Sequence, residues 1–198
     1  MVTEAPRPVR DAGNRVAVWR APDGRRVAVW PLHHGLLNAF TAFVRRLAPD
    51  SRARRFLAPL QDLSDEAVRR LVVVDQRGNV AWIAEEFARP GVIVADARYS
   101  VTAAGEAELA LAVADDWQKS GLGSYLLGRL LEHAAGRGIG CAWGHVRCDN
   151  LAALALASRF LFDVRPDPGE PGLLMVVRAL ARGLLAGTGF SEPLARGT

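Results

Sequence analysis

The sequence predicts a single α/β domain organised around one strand–turn–helix unit, and three features of residues 108–136 predict it. Glu108 to Ala114 alternates in size, with Leu109, Leu111 and Val113 on one face of a strand and Glu108, Ala110, Ala112 and Ala114 on the other. A polar-to-glycine turn follows, Gln118-Lys119-Ser120-Gly121-Leu122-Gly123. Leu126, Leu127, Leu130 and Leu131 then recur with helical spacing. The large strand face can fill a core, while the small face leaves room beside the backbone. The turn sets backbone N–H groups without bulky side chains at a helix N-terminus, where free amides and the helix dipole favour an anion such as a phosphate.

The remaining elements read in order. Residues 1–14 form a polar arm with two prolines and no apolar secretory core. Val16 to Trp19 and Val27 to Trp30 are β-prone runs joined through Ala21-Pro22-Asp23-Gly24, a hairpin signal. Leu36, Leu37, Phe40, Phe43, Val44 and Leu47 mark an amphipathic helix. The His33-His34 pair before it reads as structural. A second helix is expected from Arg52 to Leu60, with Arg52, Arg54 and Arg55 on a solvated face. A third runs from the N-cap Ser64 to Leu71. Leu71 to Asp75 and Val80 to Glu85 read as two strands about a hairpin turn at Gln76-Arg77-Gly78-Asn79. Val92 to Tyr99 is a further strand. After the central helix come a strand from Cys141 to Val146, a helix opened by Asn150 and reaching Phe160, and a last strand from Leu173 to Leu180. Residues 181–198 form a tail.

Composition narrows the function. Half of the 198 residues are hydrophobic, enough for one sizeable core. No apolar run approaches the ~20 residues of a membrane span. Cys141 and Cys148 read as free thiols of a cytoplasmic protein, with no metal-ligand cluster beside them. The net charge is +4, but Lys119 is the single lysine among 25 basic residues, and the arginines are scattered. Arginine-rich coding explains that better than a nucleic-acid surface. Two phosphate motifs are excluded. The lysine precedes the glycines, unlike a P-loop, and Leu126 stands where a dinucleotide fingerprint needs its third glycine.

Gln118 to Gly123 resembles the Q/R-x-x-G-x-G/A pyrophosphate loop of GNAT-type acyl-CoA acyltransferases. Asp116-Trp117-Gln118 and the aliphatic strand before it are similar as well, and the similarity covers most of residues 27–180. The resemblance implies a single GNAT domain over residues 15–180, with a mixed, mostly antiparallel sheet flanked by helices and an acyl-CoA cleft at splayed central strands. Within that family, the Val-Ala-Asp-Asp-Trp-Gln run and Ser51-Arg52-Ala53-Arg54-Arg55-Phe56 resemble bacterial Pat-type protein lysine acetyltransferases, which act on acyl-CoA synthetases.

The expected activity is therefore an acetyl-CoA-dependent N-acetyltransferase moving acetyl to a protein lysine. Alternatives are a small-amine or antibiotic acetyltransferase and a non-catalytic acyl-CoA-sensing module. Lys119, Ser120, Gly121, Leu122, Gly123, Ser124 and Tyr125 are the implied pyrophosphate loop. Backbone amides at Ala112, Val113 and Ala114 would meet the thioester and pantetheine, and Asn150 the CoA arm.

Acyl transfer to an amine needs a base for the amine proton and a polarised thioester oxygen. Glu108 precedes Gln118 by a separation similar to that of the general-base glutamate of GNAT histone acetyltransferases. It stands about 13 Å up-strand of Ala112, so a water relay is expected. Glu106 is the nearest substitute. Two departures stand out. The helix after Asn150 lacks the tyrosine that many GNAT enzymes use as general acid, and Phe160-Leu161-Phe162 replaces the usual Leu-Gly-Phe.

Overall fold

The computed structural model describes residues 16–57 and 64–180. The arm over residues 1–14, the tail over 181–198 and the end of the second expected helix at Leu60 lie outside them. The hairpin is present: β1 (Ala17–Arg20) pairs antiparallel with β2 (Arg26–Pro31). Helix α1 (Leu37–Arg46) buries Phe40, Phe43 and Val44, as its spacing requires. Helix α2 (Pro49–Phe56) starts three residues before Arg52, with Pro49 in its first turn, a position where a missing N–H costs no bond. In α3 (Asp65–Leu71) the Ser64 side chain caps the helix by accepting from the Ala67 N–H.

The structure corrects one expected strand. Leu71 to Asp75 is the end of α3 and a loop, and its hairpin does not exist. Two side chains take over the backbone's role there. Asp75 Oδ1 accepts from the Arg77 and Asn79 N–H groups. Gln76, at φ 55°, donates from Nε2 to the Leu32 and Ala81 carbonyls and accepts from the Ala81 N–H. A glutamine amide thus replaces a strand beside Ala81.

Strand β3 (Asn79–Glu86) instead pairs with β2 and with β4 (Ile93–Val101). Next come β5 (Ala107–Val113), the helical turn Asp115–Trp117, α4 (Leu122–Gly136), β6 (Cys141–Arg147) and α5 (Leu151–Arg159). Strand β7 (Asp163–Pro166), exposed along its length and ending in proline, has no alternating apolar pattern and was not expected. Strand β8 (Leu173–Ala179) is the last. The described strands form one sheet in the order β1-β2-β3-β4-β5-β6-β8-β7, antiparallel except between β5 and β6. That parallel pair has only two registered partners, Ala107 with Ala142 and Glu108 with Trp143. Beyond Glu108 the strands part, and the gap is the cleft.

The two faces of β5 look at different layers. Leu109 and Leu111 lie beside Tyr99 and Ala97 of β4 on the α4 face, where the Tyr99 hydroxyl meets His133 Nδ1 at 2.9 Å. Glu108, Ala110 and Ala112 lie beside Ser100, Arg98 and Asp96 on the opposite face. There Arg98 donates to the Leu71 carbonyl and sits over the Phe40 ring. Leu109, Leu111 and Val113 are only half-buried. They border the gap, so the large face fills the core in part only.

Candidate active site

Local geometry at the glycine turn follows from its residues. Gly121 caps α4 at φ 93°, a conformation that costs side-chain-bearing residues about 1–2 kcal/mol. Lys119 is also left-handed, at φ 59°. Ser120 Oγ donates to the Trp117 carbonyl at 2.6 Å and accepts from the Leu122 N–H, while the Leu122 side chain is buried in the core. Among the described residues, no protein group accepts from the Gly123 and Ser124 N–H groups. These two first-turn amides are available to an anion.

A cavity of about 520 Å³ opens onto this turn. Lys119, Gly121, Gly123 and Ser124 line it on one side, Ala112 and Val113 on another, and Asn150 with the α5 residues Ala153 and Leu156 on a third. Arg54, Lys119 and Arg159 give it a positive rim, and Arg55 lines its wall. A second cavity of about 320 Å³ adjoins it and carries Glu108, Leu109, Gly144 and His145. Asn150 lines both, while its side chain caps α5 by accepting from the Ala153 N–H at 3.2 Å.

Several expected residues stand elsewhere. The Ala114 N–H is spent on the Val94 carbonyl at 2.8 Å. Amides alternate in direction along a strand. It is therefore Leu111 and Val113 that turn their N–H groups toward the gap, and the Ala112 amide points to β4 with that of Ala114. Tyr125 stacks on Trp19, with centroids 5.7 Å apart, and its N–H bonds Gly121 inside the helix. Leu122, Ser120 and Tyr125 thus shape the turn and do not line the cavity. Glu108 is exposed at the strand's start and borders the second cavity, as well as a third of about 280 Å³ beneath α3. Glu106 lines none of these.

The sequence reading missed three arrangements. Arg55, expected on a solvated face, is buried to 9% exposure of its side chain and pairs with Asp96 at 3.2 Å. Asp96, 2% exposed, also pairs with Arg98 at 2.7 Å. Burial pulls the Arg55 guanidinium's pKa down, and Asp96 opposes that pull. The available signal was Asp96 itself, a carboxylate that follows Ile93, Val94 and Ala95 in the middle of a strand. Second, Asp115 accepts from the Ala48 N–H and from Ser51 Oγ, and Gln118 Nε2 reaches Ser51 Oγ, Asp115 and the Val113 carbonyl. Helix α2 is thereby fastened to the glycine turn. Third, His145 Nε2 lies 2.6 Å from Asp167.

A mixed sheet parted between its two parallel strands, with free helix-terminal amides aimed into the gap, defines an acyl-CoA-dependent transferase. The chain belongs to the acetyltransferase (GNAT) family, whose model matches residues 41–162. Acetyltransferase PA5475 of Pseudomonas aeruginosa is 27% identical over 154 residues, covering 75% of this chain and 81% of that protein. The GNAT domain of S. lividans PAT superposes with a TM-score of 0.75 at 25% identity, over 86% of this chain and 99% of that one. RimL, a ribosomal L7/L12 alpha-N-protein acetyltransferase in complex with coenzyme A, shares the fold at a TM-score of 0.65 and 18% identity. That match covers 85% of this chain and 99% of the other.

Proposed function

We propose that this protein is a cytoplasmic enzyme that moves an acetyl group from acetyl-CoA to the side-chain amine of a lysine on another protein, such as an acyl-CoA synthetase. The observation that carries the reading is the position of Glu108. It is an exposed carboxylate at the point where β5 and β6 part, bordering the cavities that open on either side. A base placed there is open to a bulky acceptor, while the cofactor arm enters from the glycine turn. The likeness to the GNAT domain of S. lividans PAT supports a protein acceptor. The coenzyme A held by RimL supports the cosubstrate.

In this reading the amides of Gly123 and Ser124 and the arginine rim hold the pyrophosphate. The N–H groups of Leu111 and Val113 face the pantetheine. Glu108 takes the amine proton through water, leaving a neutral nitrogen to attack the thioester. Mass spectrometry of candidate protein and amine acceptors after incubation with acetyl-CoA tests it. Acetyl-lysine on a protein acceptor is the expected result, and transfer to small amines alone would overturn it. Glu108→Gln should bind acetyl-CoA as the parent does and lose about 10²–10⁴ in turnover near neutral pH. The loss should shrink as pH approaches the lysine reference pKa of about 10.4.

A further inference from the structure

Breaking the thioester C–S bond leaves a thiolate that needs a proton, and the chain's two tyrosines are engaged away from the cleft. Tyr99 bonds His133 on the α4 face, and Tyr125 stacks on Trp19. On the second cavity's wall stands His145, on β6. Its ring meets the edge of Trp143, with centroids 5.2 Å apart, and Trp143 is registered beside Glu108. His145 therefore faces the same side of the sheet as Glu108, across the gap. Its Nε2 is held by Asp167, and among the described residues Nδ1 has no hydrogen-bond partner. Asp167 is itself fixed by the Gly169 N–H at 2.7 Å. That bond first, and His145 after it, hold the carboxyl below its usual range against the opposing effect of desolvation.

We propose that His145 is a second proton-transfer residue of this cleft, giving its Nδ1 proton to the departing coenzyme A sulfur, with Asp167 as its positioning residue. The inference rests on the acetyltransferase reading above. The amine nitrogen adds to the thioester carbonyl carbon, and the C–S bond then breaks with its electron pair on sulfur. His145 supplies the proton that makes the free thiol, and water restores it. Two amine protons leave by way of Glu108 and its water, one from the ammonium before attack and one from the cationic nitrogen of the tetrahedral adduct. Sulfur takes one back through His145, so one proton reaches solvent per turnover. The charged groups around His145 are Asp167 from the β7–β8 connection, Glu108 on β5, and Arg54 and Arg55 on α2. Arg165 on β7 shares its side of the sheet, since both are registered on Met175.

The test uses the full chain with free coenzyme A, following thiolate absorbance of the bound cofactor against pH. A protonated imidazole that can donate to the sulfur also stabilises its thiolate and lowers the pKa of the bound thiol. In the parent, thiolate should thus appear about one pH unit lower than in His145→Gln, whose amide can still donate to Asp167. Asp167→Asn should fall between them. In turnover, His145→Gln should lose about 10²-fold at unchanged coenzyme A affinity. His145→Ala should regain rate on addition of imidazole, which a purely structural histidine would not show. Identical thiol titrations in parent and His145→Gln, or unchanged turnover, overturn the proposal and leave the acetyltransferase reading intact. A parent that binds no coenzyme A overturns both.

Discussion

Arg55 on α2 and Asp96 in the middle of β4 form a nearly dry ion pair across the cleft wall, 3.2 Å apart. Arg98 shares the same carboxylate, so two guanidinium groups depend on one buried anion. Asp96→Asn keeps the shape and leaves both cations without a counter-charge. Stability should fall by about 3 kcal/mol, since breaking a buried pair from one side costs about 3–5. Calorimetry should show Tm lower by roughly 6–12 °C in a chain of this size. An unshifted transition would mean that water already screens the pair.

Gly123 is the second position where a single change should be decisive. A Cβ there would lie 3.6 Å from Val113 and 3.7 Å from Leu111, ordinary contacts, so alanine fits. The two methyl groups of Gly123→Val would instead stand where the phosphate approaches the free amides. Each lost charge-assisted bond is worth about 1.5–3 kcal/mol. Coenzyme A affinity by titration calorimetry should therefore drop at least about tenfold, with Gly123→Ala nearer the parent.

Leu161 ends α5 in a left-handed conformation at φ 56°, with its side chain 79% exposed. The Phe162 N–H bonds the Ala157 carbonyl and the Leu161 N–H bonds that of Ser158, the double closure usually made with glycine. Leu161→Gly removes about 1–2 kcal/mol of backbone strain. It restores some unfolded-state entropy, and no buried area is lost. A net gain of about 0.5–1 kcal/mol is expected, read as a Tm raised by roughly 1–4 °C.

His133 makes stability pH-dependent. Burial first, then Arg137 and Arg129, lower its pKa below the usual 6.5. The unfolded chain therefore takes up this proton before the folded one does. The contribution is complete above pH 6.5 and is lost as pH falls through the lowered folded value. His133→Gln should flatten the parent's loss of urea stability between neutral pH and about pH 5. Parallel curves for the two proteins would count against it.

Much of this was legible because local patterns agree with the final layers. The size alternation of β5, the leucine spacing of α4 and the caps at Ser64 and Asn150 all appear where the residues say. What stayed hidden depends on partners far away in sequence. Nothing near Arg55 reveals that Asp96 will bury it, and nothing near His145 points to Asp167. The run Leu71 to Asp75 misled for the converse reason: the hydrogen bonds expected of its strand are made by the side chain of Gln76, in the turn that follows it. The departure at Phe160-Leu161-Phe162 changed the residue and kept the turn.

The two registered pairs between β5 and β6 also bear on how the domain opens. Strands β6, β8 and β7 and helix α5 form a unit joined to the rest of the sheet by little backbone hydrogen bonding. Such a unit can open as a separate cooperative segment, at a lower free energy than global unfolding. A cofactor lying in the gap would touch both units and supply the bridge that the ladder lacks. At a concentration of about 100 Kd it would add about 2.7 kcal/mol. Amide hydrogen exchange would then slow most in β6 and α5, so that cofactor occupancy sets the lifetime of the closed sheet.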